Sequence, residues 1–223
     1  MSIHLINEER KLKSLLQTLS GNVEQAVSNA VLAFIHRDIE LADAIIENDK
    51  LIDEMEIELE EECLKILALY QPVAVDLRYI VSCLKINNDL ERIGDLAAKG
   101  AKRVKTVSQS DIKLNFDFIE FMNSSRDMLK NSLDALLNMN SKTAQQVCEA
   151  DQKVDDLKKV AAKEIKSKIK SDPQNTDTYL QYLGLTRDIE RIADYATNIA
   201  EDVIYMIEGR IVRHNNEPLI ASE

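Results

Sequence analysis

Apolar residues recur along this chain at helical spacing in six long runs. The 3.6-residue period predicts helices over roughly 5–35, 38–70, 74–106, 113–139, 141–170 and 175–208. Polar, breaker-bearing stretches separate them: "HRD" at 36–38, "QPVA" at 71–74, "VSQSD" at 107–111, "NMNS" at 138–141 and "SDP" at 171–173. Pro72 and Pro173 stand where a new helix would begin, a favoured place for a residue that lacks an N–H. A run of about 30 residues makes a rod about 45 Å long. Short links between such rods imply antiparallel neighbours.

The pattern also repeats. "DLERIGDLAAKGAKRV" (89–104) aligns with "DIERIADYATNIAEDV" (188–203) at an offset of 99 residues. Upstream, "IENDKLID" (46–53) aligns with "CEADQKVD" (148–155) at an offset of 102. A three-residue deletion reconciles the two. The expected architecture is therefore all-α, a tandem duplication of two antiparallel three-helix bundles, with repeats at 1–108 and 109–223.

Within this repeat lie four carboxylate pairs spaced i, i+4: Asp49 with Asp53, Glu91 with Asp95, Asp151 with Asp155, and Glu190 with Asp194. Such neighbours lie about 5–6 Å apart on a helix and repel by a few tenths of a kcal/mol. The core stripe of the second helix is Ile45, Ile52, Met55, Leu59 and Ile66. At about 100° per residue, Asp49 and Asp53 fall roughly 60° and 100° from Ile52. Asp151 and Asp155 take the same angles from Val154 on the fifth helix. On the third helix, Glu91 and Asp95 fall at about 100° and 140° from Leu90, and Glu190 and Asp194 repeat this from Ile189. Every pair thus sits on the same shoulder of its helix. In hairpins turning at Pro72 and Pro173, the pairs lie about 20 residues from the turn on either side, so they meet at one height. Gly94 and Ala193 stand between stripe and shoulder, where a small residue allows close approach. The central Arg92 and Arg191 face away and are expected to pair with Asp89 and Asp188.

Four carboxylates in one groove do not all ionise cheaply without cations. An all-oxygen donor set suits hard ions such as Mg²⁺, Mn²⁺, Ca²⁺ or Fe³⁺, and suits zinc less without His or Cys. The competing reading is a solvated acidic face. A single pair would favour that view; four pairs matched in hand and height favour metal.

Composition narrows the rest. Among 223 residues there are 5 Gly and 3 Pro, and hydrophobic residues make up 45%, so long helices with a real core are expected rather than disorder. The formal charge of −11 argues against a nucleic-acid partner. Cys63, Cys83 and Cys148 show no CxxC spacing, which suits core thiols in a reducing cytoplasm. The N-terminal stretch is charged where a leader's apolar core would be, and no run of about 18 apolar residues is present, so no membrane insertion is expected. The histidines, His4, His36 and His214, are scattered, and none has a Glu three residues before it. This excludes the Glu-x-x-His pattern of di-metal bundle enzymes. Arg78 and Arg187 are read as structural ion-pair partners rather than phosphate ligands.

The stretch "EECLKILALYQPVAVDLRYIVSCLKINNDLERIGDLA" (61–97) resembles the hallmark of the PhoU family of phosphate-uptake regulators, and "DIERIADYATNIAEDVIYMIEGRIVRH" (188–214) resembles that family's last helix. The resemblance implies an all-α, non-enzymatic cytoplasmic adaptor that restrains phosphate-starvation genes. Its implied partners are the ATPase subunit of the phosphate ABC transporter, a sensor histidine kinase and a second copy of itself. Recruitment to the inner membrane face would come through the partners. In that family E/D-xxx-D motifs bind metals, including multinuclear iron or zinc clusters in some members. Here they fall on Asp49, Asp53, Glu91, Asp95, Asp151, Asp155, Glu190 and Asp194. Iron, or else Mg, Mn or Zn, is the implied cofactor, with no organic one. The alternative is a helical scaffold whose acidic grooves take basic partners. "QPVAVDLR" has no equivalent in the second half, so the halves need not act alike.

Overall fold

The computed structural model describes residues 3–112 and 114–212; His214 lies outside them. The described residues form six long helices: α1 (Ile3–His36), α2 (Ile39–Tyr70), α3 (Ala74–Val107), α4 (Phe118–Leu137), α5 (Ser141–Ser171) and α6 (Thr176–Glu208). A 3₁₀ turn, Pro173–Asn175, leads into α6. Local chemistry fixes several ends. Asp38, Asp117 and Asn140 cap α2, α4 and α5 by accepting from the N–H of Leu41, Glu120 and Thr143. Gly209 ends α6 in the left-handed region at φ 69°, its N–H donating to Tyr205 O.

The fourth helix starts later than expected, at Phe118 instead of 113. Asp117 stops it by accepting from Glu120 N at 2.9 Å, while Phe116 and Phe118 turn into the core as a T-shaped pair 5.2 Å apart. Apolar periodicity alone ran through this cap.

Within each half the three helices pack on one another: α1, α2 and α3, then α4, α5 and α6. Two helix pairs bring their backbones together across the halves, α3 with α6 and α1 with α4. The central pair α3 and α6 therefore touches both halves, while α2 and α5 each lean only on their own half. The expected stripe of α2 lies on the core, with Ile45, Ile52, Leu59 and Ile66 buried and Met55 half-buried, and Ile86, Leu90, Ile93, Ala97 and Val104 of α3 are buried against it. Buried apolar residues of all six helices make one continuous cluster. At its seam Phe34 of α1, Phe118 of α4 and Tyr182 of α6 meet with ring centres 5.4–6.5 Å apart. Among the described residues no helix is long and apolar enough to cross a membrane.

Polar ties cross the same seam. Arg103 of α3 donates from Nε to Asp188 Oδ2 at 2.6 Å and from Nη1 to Gln181 Oε1 at 3.2 Å, both on α6. Within the second half, Ser125 of α4 donates to the carbonyl of Ile189 of α6 at 2.8 Å. The expected Asp188–Arg191 pairing is thus replaced. Arg191 instead donates to the Tyr195 hydroxyl at 2.8 Å and lies over its ring. The reason is geometric: α3 lies against the face of α6 that carries Asp188, and a cation from that neighbour reaches it. Nor do Arg78 and Arg187 form ion pairs among the described residues. Arg78 lies close enough to Gly209 that a Cβ there would stand 3.4 Å from its Cζ, and its buried Nε has no hydrogen-bond partner among the described residues.

Candidate metal-binding grooves

Two grooves carry the eight acids, one between α2 and α3 and one between α5 and α6. Their floor is the apolar stripe, and their depth depends on small residues. A Cβ added to Gly94 would stand 3.1 Å from Ile52 Cδ1 and Cγ2 and 3.7 Å from Asp49 Oδ1. Gly94 therefore sits at the level of Asp49 and lets α2 close onto α3. Ala193, its counterpart, is fully buried. Gly94→Ala should push Ile52 aside and lower stability by about 1 kcal/mol, less than a core truncation, because only a few tenths of an ångström are needed. Chemical denaturation of the two proteins checks this.

In the first groove Asp49 has its proton affinity raised by burial and then by Asp53 and Asp95, opposed by Lys102 and Lys99. Glu91 is raised by burial, then by Asp95 and Asp53, with Arg92 and Lys99 opposing. The two α2 acids therefore face the two α3 acids across the groove. The second groove repeats the arrangement. Asp151 is raised by burial and by Asp155 and Glu190, while a hydrogen bond from Thr197, at 3.2 Å, opposes the rise. Asp194 is pushed up to about 6 by burial, then by Glu190 and Asp151, and more weakly by Asp155, against the pull of Lys158. Along its edge runs a shallow cavity of about 390 Å³ lined by Asp151, Arg191, Asp194, Tyr195, Thr197 and Asn198.

All eight acids thus gather as two sets of four. The side chains of neither set converge tightly: among the described residues no three His, Cys, Asp or Glu groups are placed to hold one ion. Hard-oxygen donors that raise one another's proton affinity suit a cation in chemistry. Taking one would require the carboxylates to turn inward from their present rotamers.

Sequence reasoning missed the lysines. Lys99 pairs with Asp95 at 2.7 Å, both about half exposed. Lys158 reaches across from α5 and forms a short ion pair with Glu190 of α6. It missed Glu56 as well, a fifth acid of the first groove. Glu56 is raised by burial and by Glu60, Glu91 and Asp53, and accepts from Asn87 Nδ2 at 3.0 Å. The signal was available, since 56 and 158 correspond at the same offset of 102 that aligns the acids. The thiols offer no nucleophile. Burial raises Cys63 and Cys148 to about 12, which keeps them protonated at neutral pH.

Comparison with known proteins agrees with this duplicated layout. The description "PhoU domain" matches this chain twice, over residues 16–104 and 118–203. A "Phosphate-specific transport system accessory protein PhoU homolog" of Pseudomonas putida is 36% identical over 209 residues, covering 93% of this chain and 82% of that protein. The crystal structure of PhoU from Pseudomonas aeruginosa superposes with a TM-score of 0.87 at 36% identity, covering 92% of this chain and 99% of that one. A phosphate transport system regulatory protein PhoU from Streptococcus pneumoniae superposes with a TM-score of 0.85 at 30% identity, covering 93% and 99%. With the family pattern present in both halves and relatives aligned over nearly the whole length, this chain belongs to the PhoU family.

Proposed function

We propose that this chain is a non-enzymatic regulator of phosphate uptake and of phosphate-starvation signalling. It works as a metal-binding adaptor between the ATPase subunit of a phosphate ABC transporter and a sensor histidine kinase, and restrains the starvation genes when phosphate is ample. It acts in the cytoplasm, as a homodimer, and reaches the membrane through its partners. The observation that carries this reading is the family match in both halves, joined to near full-length relatives whose names place them as accessories of phosphate transport. The grooves support the metal part. Asp49, Asp53, Glu91 and Asp95 would hold a cation in one, and Asp151, Asp155, Glu190 and Asp194 in the other. A bound ion would supply fixed positive charge that relieves the repulsion among these acids.

The test is co-purification of the tagged chain with the transporter ATPase and with the kinase, beside phosphate-dependent reporter expression in a deletion strain. Both partners should be retained, and the deletion should derepress the reporter in ample phosphate. Loss of neither repression nor transport control, with no partner retained, defeats the reading. A second reading has one specific observation in its favour. Lys158 already rests in the second groove against Glu190, so these acids accept an ammonium, as they would from a basic partner on a metal-free scaffold. Elemental analysis of Asp95→Ala and Asp194→Ala proteins separates the two: metal content falls in at least one of them if a groove holds metal and is unchanged in both if the grooves hold only basic side chains.

A further inference from the structure

The two grooves look alike in their acids, and one of the positions at which they differ lies on the outer wall. In the second groove that position is Lys158, whose ammonium crosses from α5 to Glu190 on α6. The pair is well sheltered, with the Glu190 side chain 13% exposed and that of Lys158 34% exposed. In the first groove the aligned position is Glu56. Its carboxylate points at the same shoulder of α3 and feels Glu91 and Asp53 there. Asn87 of α3, wholly buried, fixes it by donating from Nδ2 to the Glu56 carbonyl at 2.9 Å and to its Oε1 at 3.0 Å. The amide nitrogen is aimed at this carboxylate, and the buried Oδ1 has no hydrogen-bond partner among the described residues. The aligned residue of the second half, Thr186, instead bonds its own helix at Tyr182 O. One groove has a built-in cation where the other has an extra carboxylate and a spare buried oxygen.

The first groove has lysines too, but of another kind. Lys102 and Lys99 both act on Asp49, but among the described residues neither bridges α3 to an acid of α2. Lys99 bonds Asp95 one turn away on its own helix, with both groups about half in water. Such a pair is weak and free to swing out. Lys158 bridges two helices in a more sheltered place, where its charge is screened less and repels a second cation more strongly.

From this difference we infer that Lys158 is the resident cation of the second groove, which therefore excludes a divalent metal, and that the first groove, completed by Glu56 and Asn87, is the one that takes it. This rests on the metal-binding reading proposed above and narrows it from both grooves to the first. Lys158 is a specificity-determining residue here, not a ligand. The two halves of a duplicated chain would then have separate roles: one groove responds to metal, and the other is neutralised by the chain itself.

The experiment is Mn²⁺ binding to the full chain, measured by elemental analysis after dialysis and by calorimetric titration, with helicity and melting followed in parallel. Four variants are compared with the unmodified chain: Asp95→Ala, Asp194→Ala, Lys158→Met and Glu56→Lys. The unmodified chain should lose its Mn²⁺ with Asp95→Ala and with Glu56→Lys, and keep it with Asp194→Ala. Lys158→Met should gain a further load that adding Asp194→Ala removes. Equal loss with Asp95→Ala and Asp194→Ala, or no gain with Lys158→Met in a folded protein, overturns the assignment and leaves metal binding standing. No Mn²⁺ uptake by either the unmodified chain or Lys158→Met overturns the assignment together with the metal reading beneath it. Asp194→Ala needs no change at Lys158, so the comparison holds even if Lys158→Met folds poorly.

Discussion

Gly184→Ala should lower the stability of this protein by about 2–3 kcal/mol, a shift of roughly 6–10 °C in melting temperature for a chain of this size. Gly184 is not needed for its backbone angles. It is needed because a Cβ there would stand 2.4 Å from Arg103 Nη1 and 2.5 Å from its Cζ. The guanidinium is a flexible end, but it has little freedom to leave. It is bonded to Asp188 at 2.6 Å and Gln181 at 3.2 Å, and Asp188 is a buried residue. Displacing it leaves a nearly buried carboxylate without its counter-charge, which costs more than the pair itself contributes. Arg103→Ala should therefore cost about as much as Gly184→Ala. The double variant should cost hardly more than either alone, since both remove the same contact. A double-mutant cycle from denaturant melts checks this, and simple additivity would refute the shared cause.

Glu62→Gln should cost about 2 kcal/mol at neutral pH and nothing near pH 2. Glu62 is 4% exposed on α2 and accepts from Lys11 of α1 at 2.5 Å and from Lys65 at 3.0 Å. Burial alone would raise its carboxyl. The two ammonium bonds outweigh that and bring it from 4.5 to about 2. Because the folded value lies below the unfolded one, the stabilisation is complete above about pH 4.5 and is lost as pH falls towards 2. The magnitude stays modest because both lysines are half in water and screened. Stability measured across that window should fall more steeply for the unmodified chain than for Glu62→Gln, with the curves meeting at the acid end. Parallel curves would remove the Lys11–Glu62–Lys65 cluster as their cause.

The helices were readable because few residues interrupt them and each interruption carries a cap or a proline. The grooves were readable because i, i+4 spacing fixes a shoulder and the hairpin turn fixes a height, both of which are local geometry. What escaped were the contacts between helices distant in sequence. Asp188 has an arginine three residues later, and the near neighbour drew the expected pairing. Which helix lies on that face is decided by packing of the whole core, and Arg103, 85 positions upstream, wins. Lys158 escaped for a related reason. Repeat alignment drew attention to residues that match, whereas 56 and 158 matter because they differ. The late start of α4 shows the third limit: Leu114 and Phe116 continue an apolar rhythm that Asp117 interrupts by a single hydrogen bond.

Each groove has walls of unequal stiffness. The inner wall, α3 or α6, is gripped from both halves, while the outer wall, α2 or α5, leans on its own half alone. Opening a groove is then a hinged movement of one outer rod against a fixed central pair, with no need to disturb the seam. Whatever fills a groove fastens its outer rod to that pair, so occupancy is converted into the position of a single long lever on the flank of the molecule. Lys158 latches one such lever by a charge that spans α5 and α6, while Asn87 and Lys105 tie the other, α2, to α3 through Glu56 and Asp43.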